Sequence, residues 1–225
     1  MALQPKNGIS VSPESGTKGT QMITFSASTN YGRNQRSAQF TFMTTASGYT
    51  GQQATKVVTV NQTGHAEYVE LDTGSDTGTG TIEAIPENST VVIQGYSNSK
   101  SLSVTFPSPS GNDGLTGFVK KFSTDSGSTW SDFTDGNDLT GDPGATNRYM
   151  WKVQFTVAEN TEIQSKTWTI KVSPKTNGKQ EATYTLTQAA GLPYLNVSKN
   201  SITLDYQGTP DATETLSTNS PWSAS

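Results

Sequence analysis

An all-β fold of sandwich modules repeated in tandem is what this sequence predicts, and three observations predict it: strand-like alternation, a turn-rich polar composition and an internal repeat. Alternating apolar and polar residues mark half-buried strands. They recur at Ile23-Thr24-Phe25, Phe40-Thr41-Phe42, Val58-Thr59-Val60, Val153-Gln154-Phe155-Thr156-Val157, Trp168-Thr169-Ile170-Lys171-Val172 and Tyr184-Thr185-Leu186. Clusters of Gly, Pro, Asn, Ser and Asp separate these runs and supply turn chemistry. No segment longer than one turn carries helical periodicity. Of the 225 residues only 31% are hydrophobic and 15% charged. That composition is poor in what a helical bundle needs and suits short strands joined by polar turns.

The strands also repeat in order, as tandem modules do. Ile23-Thr24-Phe25, Asn30 and Phe40-Thr41-Phe42 correspond to Val153-Gln154-Phe155, Asn160 and Ile170-Lys171-Val172. Likewise Val60-Asn61-Gln62 followed by Tyr68-Val69-Glu70-Leu71 corresponds to Leu186-Thr187-Gln188 followed by Tyr194-Leu195-Asn196-Val197. A terminal strand ends at Gln, a Gly-containing linker follows, and a Tyr-led strand begins. Module boundaries are therefore expected near Gly64 and Gly191. Residues 65–191 form a complete module, residues 1–64 the second half of one, and residues 192–225 the first half of another.

The segments Tyr194-Leu195-Asn196-Val197-Ser198 through Ser217-Thr218-Asn219-Ser220-Pro221-Trp222, Ile9-Ser10-Val11-Ser12-Pro13-Glu14-Ser15-Gly16, and Val57-Val58-Thr59-Val60-Asn61-Gln62 resemble the BACON domain. This is an immunoglobulin-like module of gut Bacteroidetes and their phages. The resemblance covers most of 1–64 and 192–225 and, more loosely, 65–191. It implies a seven-stranded immunoglobulin-like β-sandwich and glycan association in extracellular or virion proteins. The middle module departs from the pattern: Gly16 lies seven residues before Ile23, whereas a long segment separates Gly111 from Val153. Residues 112–147 are accordingly read as an insertion whose deletion leaves a folded module, and any ligand contact is expected to map to it.

Bulk chemistry removes several function classes. A formal charge of −4 offers no basic field for phosphate, so nucleic acid is not an expected partner. With no Cys there are no disulfides, thiol nucleophiles or Cys-type metal sites. No run approaches the ~20 apolar residues that a bilayer requires, so no membrane insertion is expected. Met1-Ala2-Leu3-Gln4-Pro5-Lys6-Asn7-Gly8 lacks the basic start and apolar run of a secretory signal. The expectation is a soluble chain, either shorn of its signal or reaching its destination without secretion, as a virion protein does.

Within the insertion, Ser123, Asp125, Gly127, Thr129 and Trp130 match the Asp-box pattern Ser-x-Asp-x-Gly-x-Thr-Trp. Such a motif is a self-contained hairpin: the Asp accepts turn N–H groups, Gly takes a positive φ, and Trp covers the base. Sialidases that resemble it carry several copies with an Arg cluster, whereas this chain has one copy and three arginines, Arg33, Arg36 and Arg148. The reading is structural. The acidic loops at Asp72 and Asp76, and at Asp132, Asp135, Asp138 and Asp142, could offer oxygens to Ca²⁺, but Asp135-Gly136-Asn137-Asp138 lacks the following Glu of an EF-hand and makes turns instead. His65 is the single His, placed in a linker, so neither a catalytic triad nor a two-His metal site can form within one chain. No carboxylate pair stands out for glycoside hydrolysis. Nothing points to a catalytic residue, a resident metal or a cofactor. Trp130, Phe133, Tyr149 and Tyr96 are the candidates for a glycan-stacking face, with core or hairpin packing as the competing role. Trp151, Trp168 and Trp222 lie in strand patterns and are assigned to core or edge packing.

The function expected from these features is non-enzymatic: a structural or adhesive surface module of a phage virion, such as a capsid decoration or a head or tail fibre, with glycan contact. Its partners are then other virion or surface subunits, glycans, or further copies of itself, and its location is the virion surface. The alternative is a carbohydrate-binding or spacer module of a secreted bacterial glycan-utilisation protein, placed extracellularly or at the cell surface. The half module at 192–225 would expose an apolar face and open edges if left alone. Two explanations stay open: further strands of a longer protein, or complementation by residues 1–64 of the same or another copy.

Overall fold

The computed structural model describes residues 4–44, 53–74, 78–85, 89–108, 113–199, 201–202, 204 and 213–224. Gly111, Asn112 and Asp76 lie outside them. Among the described residues the chain is all-β, with one short 3₁₀ turn at Pro143–Ala145.

Its centre is a two-layered sandwich of nine strands: β5 (Val69–Leu71), β6 (Thr79–Ile82), β7 (Thr90–Ser97), β8 (Leu102–Ser108), β9 (Leu115–Ser123), β10 (Ser131–Asp132), β11 (Tyr149–Val157), β12 (Lys166–Pro174) and β13 (Ala182–Gln188). One sheet has the order β10-β9-β11-β7-β5 and the other β6-β13-β12-β8. β6 runs parallel to β13; every other pairing is antiparallel. β1 (Ile9–Ser12), β2 (Thr24–Ala27), β3 (Arg36–Met43) and β4 (Thr55–Gln62) precede the sandwich as two hairpin-like pairs, β1-β2 and β3-β4. β14 (Leu195–Val197) and β15 (Leu216–Thr218) follow it as a single antiparallel pair.

The period-two pattern explains the core. On β11, Tyr149, Trp151, Val153, Phe155 and Val157 point inward in strict alternation with half-buried neighbours. β12 adds Trp168, Ile170 and Val172, and β13 adds Ala182, Tyr184 and Leu186. Large side chains of this kind each contribute ~1.5–3 kcal/mol on burial. Both indoles are satisfied: Trp151 Nε1 donates to Tyr96 O at 3.2 Å and Trp168 Nε1 to Asp113 O at 3.0 Å. Trp222, by contrast, is exposed. A smaller core in residues 4–64 joins buried Ile9, Val11, Ala38 and Phe40 to Phe25, Phe42 and Val60.

The segment read as an insertion is in part a structural strand. β9 is hydrogen-bonded to β10 on one side and β11 on the other, and it buries Leu115 and Phe122 in the main core. Its pattern is hidden because Gly117, at φ +64, forms a bulge opposite the Gln154–Thr156 irregularity, and Lys120-Lys121 then breaks the alternation. The added segment therefore begins after Ser123. The expectation that 112–147 could be removed without loss of the fold is corrected on this ground.

The terminal strands repeat the central ones by register. β14 and β15 pair Leu195 with Thr218 and Val197 with Leu216, as β5 and β7 pair Val69 with Ser97 and Leu71 with Gly95. β3 and β4 pair Arg36 with Gln62, as β12 and β13 pair Lys166 with Gln188. β1 and β2 pair Ile9 with Ala27, as β9 and β11 pair Leu115 with Val157; Ser28 N donates to Gly8 O just as Ala158 N donates to Gly114 O. β14 and β15 are thus counterparts of β5 and β7, and β1 to β4 are counterparts of β9, β11, β12 and β13.

Deleting residues 112–147 is expected to abolish the cooperative unfolding transition of the sandwich, and Leu115→Ala alone to cost about 2–5 kcal/mol. Urea denaturation followed by tryptophan fluorescence measures both. A deletion variant with a sharp transition would refute the placement of β9.

Candidate functional site

Two places concentrate polar chemistry: the junctions at either end of the sandwich and the Asp-box hairpin. At the first junction the Asn98 amide is fully buried. Its Oδ1 accepts from Tyr68 N at 3.0 Å, and its Nδ2 donates to Tyr31 O at 3.0 Å and Ala66 O at 3.1 Å. The second junction repeats this arrangement on counterpart residues. Asn219 Oδ1 accepts from Tyr194 N at 3.0 Å, and Nδ2 donates to Thr161 O at 2.6 Å and Leu192 O at 3.1 Å.

A second asparagine shapes the acceptor loop in each case. Asn30 Nδ2 donates to Asn34 O at 2.9 Å and Thr63 O at 3.1 Å; Asn160 Nδ2 donates to Gln164 O at 2.8 Å and Ala189 O at 2.9 Å. The linker backbone then closes the turn, His65 N on Gly32 O at 2.8 Å and Gly191 N on Glu162 O at 2.7 Å. The last strand of each unit is held by its terminal Gln: Gln62 Nε2 donates to Ser28 O at 2.8 Å, and Gln188 Nε2 to Ala158 O at 2.9 Å. The exposed His65 ring stacks edge-on at 4.8 Å from Tyr68 and serves the linker.

The first junction has an additional brace, supplied by the connection between β9 and β11. Arg33 N donates to Gly144 O at 3.0 Å, Asn34 N to Ala145 O at 2.8 Å, and Arg33 Nε to Asn98 O at 2.7 Å. The Arg33 guanidinium also pairs with Asp142. Glycine is required on both faces of this contact: a Cβ on Gly32 would lie 2.4 Å from Thr146 C, and one on Gly144 would lie 1.9 Å from Asn98 O. Arg148 completes the brace. Its guanidinium sits 4.4 Å from the Tyr31 ring centroid and 4.2 Å from that of Tyr96, with Glu70 at 3.7 Å. A groove of about 410 Å³ beside it is lined by Glu70, Asp72, Tyr96, Arg148, Gln180 and Glu181.

The Asp-box closes on itself. Asp125 Oδ1 accepts from Thr129 N at 2.8 Å and from Ser123 Oγ at 2.7 Å, and Oδ2 accepts from Thr129 Oγ1 at 2.6 Å. Gly127, at φ +88, donates to Ser123 Oγ at 2.8 Å and lies under the Trp130 ring. The Thr129 hydroxyl, then its N–H and the Ser123 hydroxyl, hold the Asp125 carboxyl at about 2, well below its ordinary value. The motif's polar groups are turned toward each other.

The four aromatic candidates do not come together as one face. Tyr149 and Phe133 are buried members of the main core, and the Tyr149 hydroxyl donates to Ser99 O at 2.9 Å. Burial pushes that phenol up. Their ring faces are spent on packing and are removed from the candidate platform. Trp130 and Tyr96 are half-buried, each with a cation on its ring, Lys152 Nζ at 4.0 Å from the Trp130 centroid and Arg148 over Tyr96. The acidic loop is engaged by lysines: Asp132 with Lys121, Asp135 with Lys120, and Asp138 with both Lys100 and Lys175. Asp72 accepts from Gly74 N at 3.2 Å. Among the described residues no three His, Asp or Glu side chains converge in a metal-holding cluster, and no helix is long and apolar enough to cross a membrane. The junction asparagines were not among the sequence candidates, although Asn30 and Asn160 stood at matching positions in the repeat.

No protein-family model matches the chain, and no curated protein does. Among solved structures, an NMR structure of a protein from Bacteroides thetaiotaomicron is similar at 14% identity and a TM-score of 0.27, over 57% of this chain and 92% of that one.

The depressed Asp125 carboxyl stabilises the hairpin fully above the unfolded value near 4, and that contribution fades as pH falls toward about 2. Asp125→Asn is therefore expected to lower the melting temperature at neutral pH, with the gap to wild type closing between about pH 4 and about pH 2. A gap independent of pH, measured by calorimetry across that range, would contradict the assignment.

Proposed function

We propose that the protein is a non-enzymatic structural element: a rod of tandem immunoglobulin-like sandwiches, of the sort used as capsid decorations and as head or tail fibres on a virion surface. The observation that carries the reading is the duplicated junction. The same hydrogen bonds, made by Asn98 and Asn219 and by Asn30 and Asn160, recur at both ends of the sandwich. A linker whose buried polar groups are satisfied in one geometry fixes the angle and rotation between neighbours, and reach-setting proteins depend on that.

Strand order supports the immunoglobulin-like part of the reading. β5-β7-β11-β9 in one sheet and β8-β12-β13 in the other follow the ABED and CFG arrangement of constant-type domains. The BACON-like resemblance of the terminal segments belongs to the same proposal. Fold alone assigns no function, so the weight rests on the junction. The chemistry at hand agrees with a structural role: the acids around Asp135 and Asp138 are engaged by lysines, and the Asp-box satisfies itself.

Asn98→Ala would leave Tyr68 N and Tyr31 O without their asparagine partner and Ala66 O with only the His65 ring nitrogen, at a cost of about 1–3 kcal/mol. Negative-stain electron microscopy is expected to show straight particles for the wild-type chain and a broadened bend angle for the variant. A wild-type chain already bent over a wide range of angles would sink the rod. Recovery of the protein with intact virions through a density gradient supports the virion placement; recovery in the cell-envelope fraction alone would replace it with the spacer of a secreted glycan system.

A further inference from the structure

We infer that Asn177 is a site of spontaneous self-modification, in which the Gly178 nitrogen displaces the side-chain amide and leaves aspartate and isoaspartate in the turn between β12 and β13. This holds whether or not the chain is a rod, because it rests on one turn and the chemistry of its backbone. In the first step the Gly178 nitrogen gives up its proton and bonds to Asn177 Cγ. The Cγ–Nδ2 bond breaks, ammonia leaves with the proton, and a cyclic succinimide remains. Water then adds to one of the two ring carbonyls. Opening at one yields aspartate; opening at the other yields isoaspartate, in which the main chain runs through Cγ. No oxidation or reduction occurs, and water is the single co-reactant.

Ring closure needs a following residue whose nitrogen can approach Cγ, and glycine, with no Cβ, hinders that approach least. The sequence holds two Asn-Gly pairs, Asn7-Gly8 and Asn177-Gly178. Their surroundings differ.

Asn7-Gly8 is locked. Lys6 N donates to Ile9 O and Ile9 N to Lys6 O, both at 2.9 Å, so the pair forms the centre of a tight hairpin turn with φ of +51 and +72. The Asn7 amide donates to Ser37 O at 2.8 Å. A Cβ on Gly8 would lie 2.6 Å from Ser28 Oγ and 2.8 Å from an Arg36 guanidinium nitrogen. Leaving group and nucleophile are both held in place.

Asn177 and Gly178 are exposed. Among the described residues nothing hydrogen-bonds the Asn177 side chain or the Gly178 N–H. A Cβ on Gly178 would meet nothing within 4 Å, so the chain around it has room to close the ring. Asp135-Gly136 could cyclise in the same way and supplies a further contrast. There Gly136 N is tied to Leu102 O at 2.9 Å, and Asp135 Oδ1 accepts from Val104 N at 3.0 Å.

The reactive turn is anchored at the first junction on both sides. Lys175 N donates to Ser99 Oγ at 2.9 Å and Thr176 N to Glu67 Oε2 at 3.2 Å, while Gln180 O accepts from Val69 N at 2.9 Å. Ser99 follows Asn98 directly. Conversion adds a carboxylate next in sequence to Thr176, whose N–H holds Glu67, and like charge opposes that contact. Isoaspartate also lengthens the backbone by one carbon between the anchors. The modification therefore acts on the junction with age.

The full chain is incubated at mildly alkaline pH, native in one series and unfolded in guanidinium chloride in another. Amide loss at each Asn is followed by peptide mapping with mass spectrometry, and isoaspartate by methyl transfer from a protein isoaspartyl methyltransferase. In the unfolded chain the two Asn-Gly pairs are expected to react at similar rates. In the native chain Asn177 is expected to keep close to its unfolded rate while Asn7 slows several-fold, with isoaspartate accumulating at 177. Gly178→Ala is expected to slow the reaction at Asn177 several-fold in both series, which separates the chemistry from any effect on folding. A native Asn177 amide that persists as long as that of Asn7 overturns the inference. So does amide loss at Asn177 without isoaspartate, because direct hydrolysis gives aspartate alone.

Discussion

An asparagine amide at each junction, fully buried at Asn98 and half-buried at Asn219, sets how the units of this chain are placed. An amide offers two donors and an acceptor on one short side chain. Asn98 directs one donor to the preceding unit at Tyr31 O, the other to the linker at Ala66 O, and its acceptor to Tyr68 N, which leads into β5. Three segments of backbone are thereby fixed to one point. An aspartate in the same place could not donate, and a glutamine would shift the amide outward by a methylene. Asn219 does the same at the second junction. Asn30 and Asn160 present the carbonyls that these amides reach by holding their own loops closed.

That constraint explains the segment after Ser123. The 3₁₀ turn at Pro143–Ala145 is held against Arg33 and Asn34, and Gly32 and Gly144 allow backbones to approach where a Cβ would collide. Arg148 fills the remaining space between Tyr31 and Tyr96. The surplus length of the middle unit is thus largely used to stiffen the junction in front of it, while the Asp-box is a compact turn that brings the chain from β9 back along it as β10.

Much of the fold was legible in the sequence, because β11, β12 and β13 alternate cleanly over seven to nine residues and face one core. β9 was not, since a Gly bulge and paired lysines scramble its alternation. The Asp-box could be read at atomic detail because all its partners lie within six residues of Ser123. Tyr149 and Phe133 could not be placed: Tyr149 opens a strand whose inward parity depends on its partners, and Phe133 enters the core from an irregular segment. The junctions were the least legible feature. Asn98 and Asn219 bond to backbone groups, which every residue carries, so no side-chain pattern in the sequence marks the partners.

The forces at the first junction also decide how it responds to its surroundings. Its ion pairs, Arg33 with Asp142 and Arg148 with Glu70, are partly exposed, a class of contact that contributes ~0–1 kcal/mol and weakens with salt. The remainder is of another kind: the Asn98 amide, backbone bonds at Gly144 and Ala145, and a guanidinium held between two rings, a contact of about 0.5–2 kcal/mol. Buried hydrogen bonds are little screened, because no counterion can approach the groups that make them. Geometry at the first junction therefore rests on contacts that salt scarcely touches.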